Sequence, residues 1–178
     1  SEFGELDLQY HHNRRSCAGM WGWLDKDMNI VIEPKYIYAM NFVDGKAIVC
    51  KGDWDIKTTA DGKEQYWCDN EQWGIIDKNE KEIVPCRFDE VYEIENTDRF
   101  YFVHEGGWEN GHYAIFDTDT QDIILVLDFD FDIGYMFNEC FVTDENVLVF
   151  DEHLPGEKKD LIYAYDLINK CYIAHGEP

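Results

Sequence analysis

Trp21-Gly22-Trp23-Leu24-Asp25-Lys26 and Trp73-Gly74-Ile75-Ile76-Asp77-Lys78 are two copies of one pattern, and their reading decides the fold. Five to nine residues on stand Ile30-Val31-Ile32-Glu33-Pro34-Lys35-Tyr36 and Ile83-Val84-Pro85-Cys86-Arg87-Phe88. A strand-like run, Lys46-Ala47-Ile48-Val49-Cys50-Lys51, precedes the second copy. Two worn copies follow. Tyr113-Ala114-Ile115-Phe116-Asp117 leads after a polar turn to Ile123-Ile124, and Tyr163-Ala164-Tyr165-Asp166 leads to Tyr172-Ile173. Both keep the strand and its terminal Asp, and both lose the Trp, the Gly and the Pro. The strand-ending acids fall at Asp25, Asp77, Asp117 and Asp166.

Each residue type has a physical reason to recur. Trp offers a large area to bury, and Gly lets another backbone approach closely. Asp caps a tight turn by accepting backbone amides ahead of it. Pro is expected to end a strand, because it cannot donate to a ladder. Each unit reads as a three-stranded meander: a leading strand such as Lys46–Lys51, the Trp-Gly strand and a short return strand. Helical periodicity is poor everywhere; only Arg87–Thr97 reads as a short helical turn.

The pattern of aromatic-Gly, two apolar residues, Asp-Lys, polar turn, apolar pair, Pro and Tyr/Phe resembles the WG-containing (KWG-type) repeats of bacteria. The resemblance covers about residues 20 to 175 and is specific for the first two units. With the strand pattern it implies an all-β fold. We expect an array of about four repeated antiparallel three-stranded meander units, open and twisted, the alternative being a small β-propeller-like closure.

Residues 1–19 read as an N-terminal segment that opens on a cloning remnant, Ser1-Glu2-Phe3, with no initiator Met. Residues 20–178 read as a single repeat domain, with units near 20–52, 72–107, 112–150 and 160–175. An insertion at 53–70 carries the turn signal Ala60-Asp61-Gly62-Lys63 together with Trp54, Tyr66 and Trp67. It reads as an extended hairpin projecting from the array, and its aromatics are expected to be buried over an end.

Charge narrows the partners. The chain has 178 residues and a net charge of −23, from 38 acids and 15 bases. From Phe100 to Glu157 there are 14 acids and no Lys or Arg. Nucleic acid and anionic membrane would be repelled, whereas a basic protein would be attracted and steered. The six cysteines, at 17, 50, 68, 86, 140 and 171, form no CxxC pair and several sit in apolar strands. They read as reduced thiols of a cytoplasmic protein, and a monomer is expected.

Catalytic and metal chemistry find little material. Asp117-Thr118-Asp119-Thr120-Gln121-Asp122 starts like a calcium loop, but its sixth position is Asp122 where a Gly is required. It also aligns with the Asp25 and Asp77 turns. His11 and His12 are adjacent, so in a strand they face opposite ways. The only serines are Ser1 and Ser16, and no nucleophile elbow exists. No cofactor or metal is expected, and no enzyme.

The leading expectation is a non-catalytic protein-binding module. The resemblance extends to immunity proteins paired with secreted toxins, which narrows this to an acidic immunity or inhibitor protein neutralising a basic bacterial toxin domain. The docking face is placed on Asp128, Asp130, Asp132, Glu139, Asp144, Glu145, Asp151 and Glu152, with Tyr135 and Phe137 as anchors. The alternative is a structural or scaffold segment of a larger WG-repeat protein. A third class, an isomerase or hydrolase on a β scaffold, would need titrating groups clustered in one apolar pocket.

Overall fold

A computed structural model describes residues 20–107, 111–127, 140–152 and 161–176. Among the described residues all fourteen elements are β-strands. They are β1 (Trp21–Leu24), β2 (Ile30–Tyr36), β3 (Tyr38–Ala39), β4 (Lys46–Thr58), β5 (Glu64–Asp77), β6 (Glu82–Phe88), β7 (Glu90–Glu93), β8 (Phe100–Glu105), β9 (His112–Asp117), β10 (Asp122–Leu127), β11 (Cys140–Val142), β12 (Val147–Glu152), β13 (Leu161–Asp166) and β14 (Cys171–Gly176). The strands form open antiparallel sheets, and none closes into a barrel. One sheet has two strands, β1-β2, and three have four: β3-β4-β5-β6, β7-β8-β9-β10 and β11-β12-β13-β14.

The complete meanders therefore carry four strands, not the three expected from the repeat pattern. The addition is a short leading strand of two to four residues, β3, β7 or β11. Arg87–Thr97 contains no helical turn; it holds the end of β6 and all of β7. Phe88, Val91 and Ile94 are buried at three-residue spacing. A bend at Asp89 resets the alternation between Phe88 and Val91.

The sequence repeat and the sheet are out of phase. Each Trp-Gly-type strand (β1, β5, β9, β13) and its return strand (β2, β6, β10, β14) finish one sheet, and the next two strands begin another. β1 and β2 finish a sheet whose first half no described residue supplies.

The conserved half of the first two units has one mechanism. On β1, Trp21 pairs with Tyr36 and Trp23 with Ile32, so two steps on one strand face four on the other. On β5, Trp73 pairs with Phe88 and Ile75 with Val84, which is the same offset. The extra residues bulge inward around Pro34 and Pro85, and Gly22 and Gly74 make room. A Cβ on Gly22 would lie 2.7 Å from the Pro34 nitrogen, and one on Gly74 2.7 Å from the Val84 carbonyl oxygen. Proline thus does not end the return strand as expected. It sits inside it, at a bulge, where the missing N–H is not needed by the ladder. In the worn copies the residue three before the turn Asp is Ala114 or Tyr163, paired with Val126 and His175, and the return strand carries a single register shift of one residue. That smaller bulge requires neither Gly nor Pro there.

The four acids cap the four hairpins. Oδ1 of Asp25, Asp77, Asp117 and Asp166 accepts the amide two residues on, from Asp27, Asn79, Asp119 and Ile168, at 2.8 to 3.0 Å. In the first two turns the left-handed residue is Met28 or Glu80, three past the Asp; in the last two it is Gln121 or Lys170, four past it.

The chain divides into two compact units, one up to Val91 and one from Tyr92. In the first, Trp23, Ile32, Tyr36, Ala47, Val49 and Ile76 form a core. Trp23 meets Tyr36 edge-on, with ring centroids 5.7 Å apart. Trp21 and Trp73 of the Trp-Gly pairs are only partly buried. In the second unit, Phe100, Phe102, Ile115, Leu127, Leu148 and Phe150 are among those that make the core.

Candidate partner-binding surface

Four of the acids assigned to docking fall on described residues, and they bracket one strand. Asp144 and Glu145 are exposed at the tip of the β11–β12 hairpin. That turn is closed by the Thr143 amide on the Val147 carbonyl at 2.9 Å, with Asn146 left-handed at φ 61°. Thr143 Oγ1 also accepts the Val147 amide at 3.3 Å. The tip is thus closed by these bonds at its base, and Asp144 and Glu145 stand outside them. Asp151 and Glu152 are the last two residues of β12, paired in register with Ile162 and Leu161. At about 3.3 Å per residue, the two acid pairs stand roughly 20 Å apart along β12. They do not converge on one spot. Asp128, Asp130, Asp132, Tyr135, Phe137 and Glu139 lie outside the described residues.

Other acids of the base-free block have assigned work. Asp117 is almost fully buried and receives Arg99 in two bonds, Nε to Oδ1 at 2.7 Å and Nη2 to Oδ2 at 2.8 Å. The same carboxylate accepts the Asp119 amide and the Thr120 hydroxyl. Burial alone would raise its pKa; the Arg99 bond and the amide together outweigh burial and hold it below the ordinary value. The would-be calcium loop is therefore a turn whose first carboxylate is filled by a guanidinium. Asp119 adds a second contact to Arg99, at 3.1 Å, and stays exposed, as does Asp122.

The thiols are arranged for packing. Cys50 is fully buried, and burial pushes its pKa up to about 12. Burial likewise pushes Cys86 up to about 12 and Cys68 to about 11. Thiols held protonated are poor nucleophiles and poor metal ligands. Among the described residues, five cysteines are free and no group of three or more His, Cys, Asp or Glu is placed to hold a metal ion.

One surface escaped the sequence reading. The insertion is the outer half of β4 and β5, a ladder running from Asp53 opposite Asp69 to Thr58 opposite Glu64. Its aromatics were expected to be buried, but Trp67 is 50% exposed and Ile56 45%. The alternation of charge with Trp54, Ile56 and Trp67 marks a ribbon, but does not tell a covered one from a bare one.

Comparison with known proteins gives one match. The family model described as WG containing repeat matches residues 21–53 and 73–108. No curated protein matches the chain, and no solved structure matches it. The two matched stretches begin at Trp21 and Trp73, the residues that open the two bulged hairpins, and the family points to a repeat and binding module. The chain thus carries two WG containing repeats, at residues 21–53 and 73–108.

Proposed function

We propose that this chain is a non-catalytic inhibitor that binds a basic protein, and specifically an acidic immunity protein that neutralises a basic bacterial toxin domain. It would act as a monomer in the cytoplasm. One observation carries the reading: 58 consecutive residues, Phe100 to Glu157, hold 14 acids and no Lys or Arg. Within that block Asp119, Asp122, Asp144 and Glu145 are exposed. A field of one sign steers an oppositely charged partner and raises its association rate, with a steep dependence on salt. The same field repels nucleic acid and anionic lipid.

The test is charge reversal. Asp128, Asp130 and Asp132 would be changed to Lys in one variant, Asp144 and Glu145 in another. Association with a cationic toxin domain encoded beside this chain would be followed by stopped flow across a salt series. A fall of about tenfold or more in association rate at low salt, shrinking as salt rises, supports the reading. Rates unchanged in both variants, or the absence of any such neighbour, overturn it.

A second reading, a scaffold segment of a larger WG-repeat protein, is favoured by the phase offset between repeat and sheet. That offset lets further repeats be joined without altering any hairpin.

A further inference from the structure

Past Lys51 and Gln72 the β4–β5 ladder leaves its sheet. β3 pairs only with Val49 and Cys50, and β6 reaches only to Trp73. From there outward the two strands pair with each other alone among the described residues. The ladder shifts register between Lys51 and Asp53, at Gly52, where a Cβ would lie 3.0 Å from the Asp69 carbonyl oxygen. The shift resets which side chains share a face.

Directly opposed residues of an antiparallel pair point the same way. One face of the ribbon therefore carries Trp54, Ile56 and Cys68, and the other Asp53, Asp55, Lys57, Trp67 and Asp69. Each face exposes a large apolar group, Ile56 on the first and Trp67 on the second. A ribbon that only covered a core would expose such groups on one side at most.

Its charge is also one-sided. Asp53, Asp55, Asp61, Glu64 and Asp69 are all exposed. The two lysines face these groups within the ribbon itself. Lys57 Nζ lies 5.7 Å from the Trp67 ring centre and 3.9 Å from Asp69, and Lys63 Nζ lies 2.7 Å from Asp61.

We infer that residues 53–69 form a docking arm that inserts between two apolar, cation-rimmed walls of a basic protein partner, with Ile56 against one wall and Trp67 against the other. Charge complementarity selects this occupant over a second copy, since each copy carries a net charge of −23. The inference rests on the reading of the chain as a binder of basic proteins, and adds to it residues outside the Phe100–Glu157 block.

The full chain, labelled with ¹⁵N, would be titrated with a synthetic peptide of alternating Leu and Lys that mimics such a wall. Poly-lysine of equal charge serves as the control. Saturable shifts of the Trp67 indole N–H and the Ile56 amide together, weaker with poly-lysine, support the arm. Trp67→Ala combined with Ile56→Ser should weaken binding roughly tenfold or more, and the exposed pair Asp53→Lys and Glu64→Lys should do so with both apolar side chains left in place. Reversal of Asp128, Asp130 and Asp132 should leave the ribbon shifts intact. Binding that ignores both ribbon variants but disappears in the Asp128 reversal overturns the arm and spares the broader reading. Failure of the parent chain to bind overturns both. Self-association of the chain that the Trp67→Ala, Ile56→Ser variant abolishes also overturns the arm.

Discussion

Gly22 packs directly against Pro34. The α-carbon of Gly22 faces the bulge of the return strand so closely that an added methyl would meet the Pro34 nitrogen at 2.7 Å, as well as the Ile32 carbonyl oxygen. Gly74 repeats the relationship against Val84 and Cys86. The two residues thus depend on each other: the bulge made by the Pro segment requires the bare α-carbon.

Gly22→Ala and Gly74→Ala are expected to cost about 1 to 3 kcal/mol each, because the opposing atoms are backbone and cannot rotate away. Urea unfolding followed by circular dichroism measures this. The counterpart in the third unit, Ala114, is fully buried: Ala114→Gly should cost about 1 to 2 kcal/mol, from added backbone freedom and a lost buried methyl. A Gly74→Ala variant as stable as the parent would count against the bulge account.

Removing a turn acid should open its hairpin. Asp77 Oδ1 accepts two amides, from Asn79 at 2.8 Å and Lys81 at 2.9 Å. Asp77→Ala is expected to destabilise by about 1 to 2 kcal/mol, and Asp77→Asn by less, since its amide oxygen keeps the acceptor. Faster hydrogen exchange at Asn79 and Lys81 in the Ala variant localises the effect. Unchanged exchange there argues against the cap.

The Arg99–Asp117 pair should set part of the acid limit. The folded pKa of Asp117 is depressed below the ordinary carboxylate value. A depressed carboxylate contributes stability above its unfolded pKa, and that stability is lost as pH falls through the folded value. The parent should therefore lose this contribution below about pH 4. Arg99→Met, which leaves a buried carboxylate without its cation, is expected to cost about 1 to 3 kcal/mol at pH 7. The range is kept low because the Arg99 side chain is 36% exposed. The variant's deficit should shrink on going from pH 7 to pH 3 in urea titrations; a deficit independent of pH sinks this account.

Thiol labelling separates the described cysteines. Cys171 is exposed and should react with an aromatic disulfide reagent at pH 8 in the folded chain. Cys50, fully buried with its pKa pushed to about 12, should react only on unfolding. Peptide mass mapping after brief labelling would show the order. Early labelling of Cys50 contradicts the packing described.

Much of the fold was legible because it is local. The turn acids at 25, 77, 117 and 166 announce themselves by spacing, and a hairpin needs only its own residues to form. The short leading strands were not legible. Tyr38–Ala39 has two residues, too few to show alternation, and its pairing with Val49 and Cys50 is a tertiary event. The prolines misled for a related reason: Pro34 and Pro85 obey the rule against donating to a ladder, but satisfy it at a bulge, which only pairing reveals. The exposure of Trp67 was likewise beyond sequence, since the same alternation fits a covered ribbon and a bare one. The docking acids came from a one-dimensional charge count, and Asp144 and Asp151 fall at opposite ends of β12 because proximity in sequence along an extended strand is distance in space.

The offset between repeat and sheet bears on how such a gene can grow or be cut. Duplicating one repeat, wherever the breakpoint falls within it, adds one whole sheet, because strands taken from one sheet are replaced by their counterparts from the next. Trimming is less forgiving. A fragment starting at Ile37 keeps β3 to β6 intact as a sheet, yet it discards Trp23, Ile32 and Tyr36 and uncovers Ala47, Val49 and Ile76, which they pack against. A fragment starting at Trp73 keeps the second matched repeat whole but divides β5 from β4, its longest pairing. The unit that evolution can copy is thus not one that an experimenter can excise.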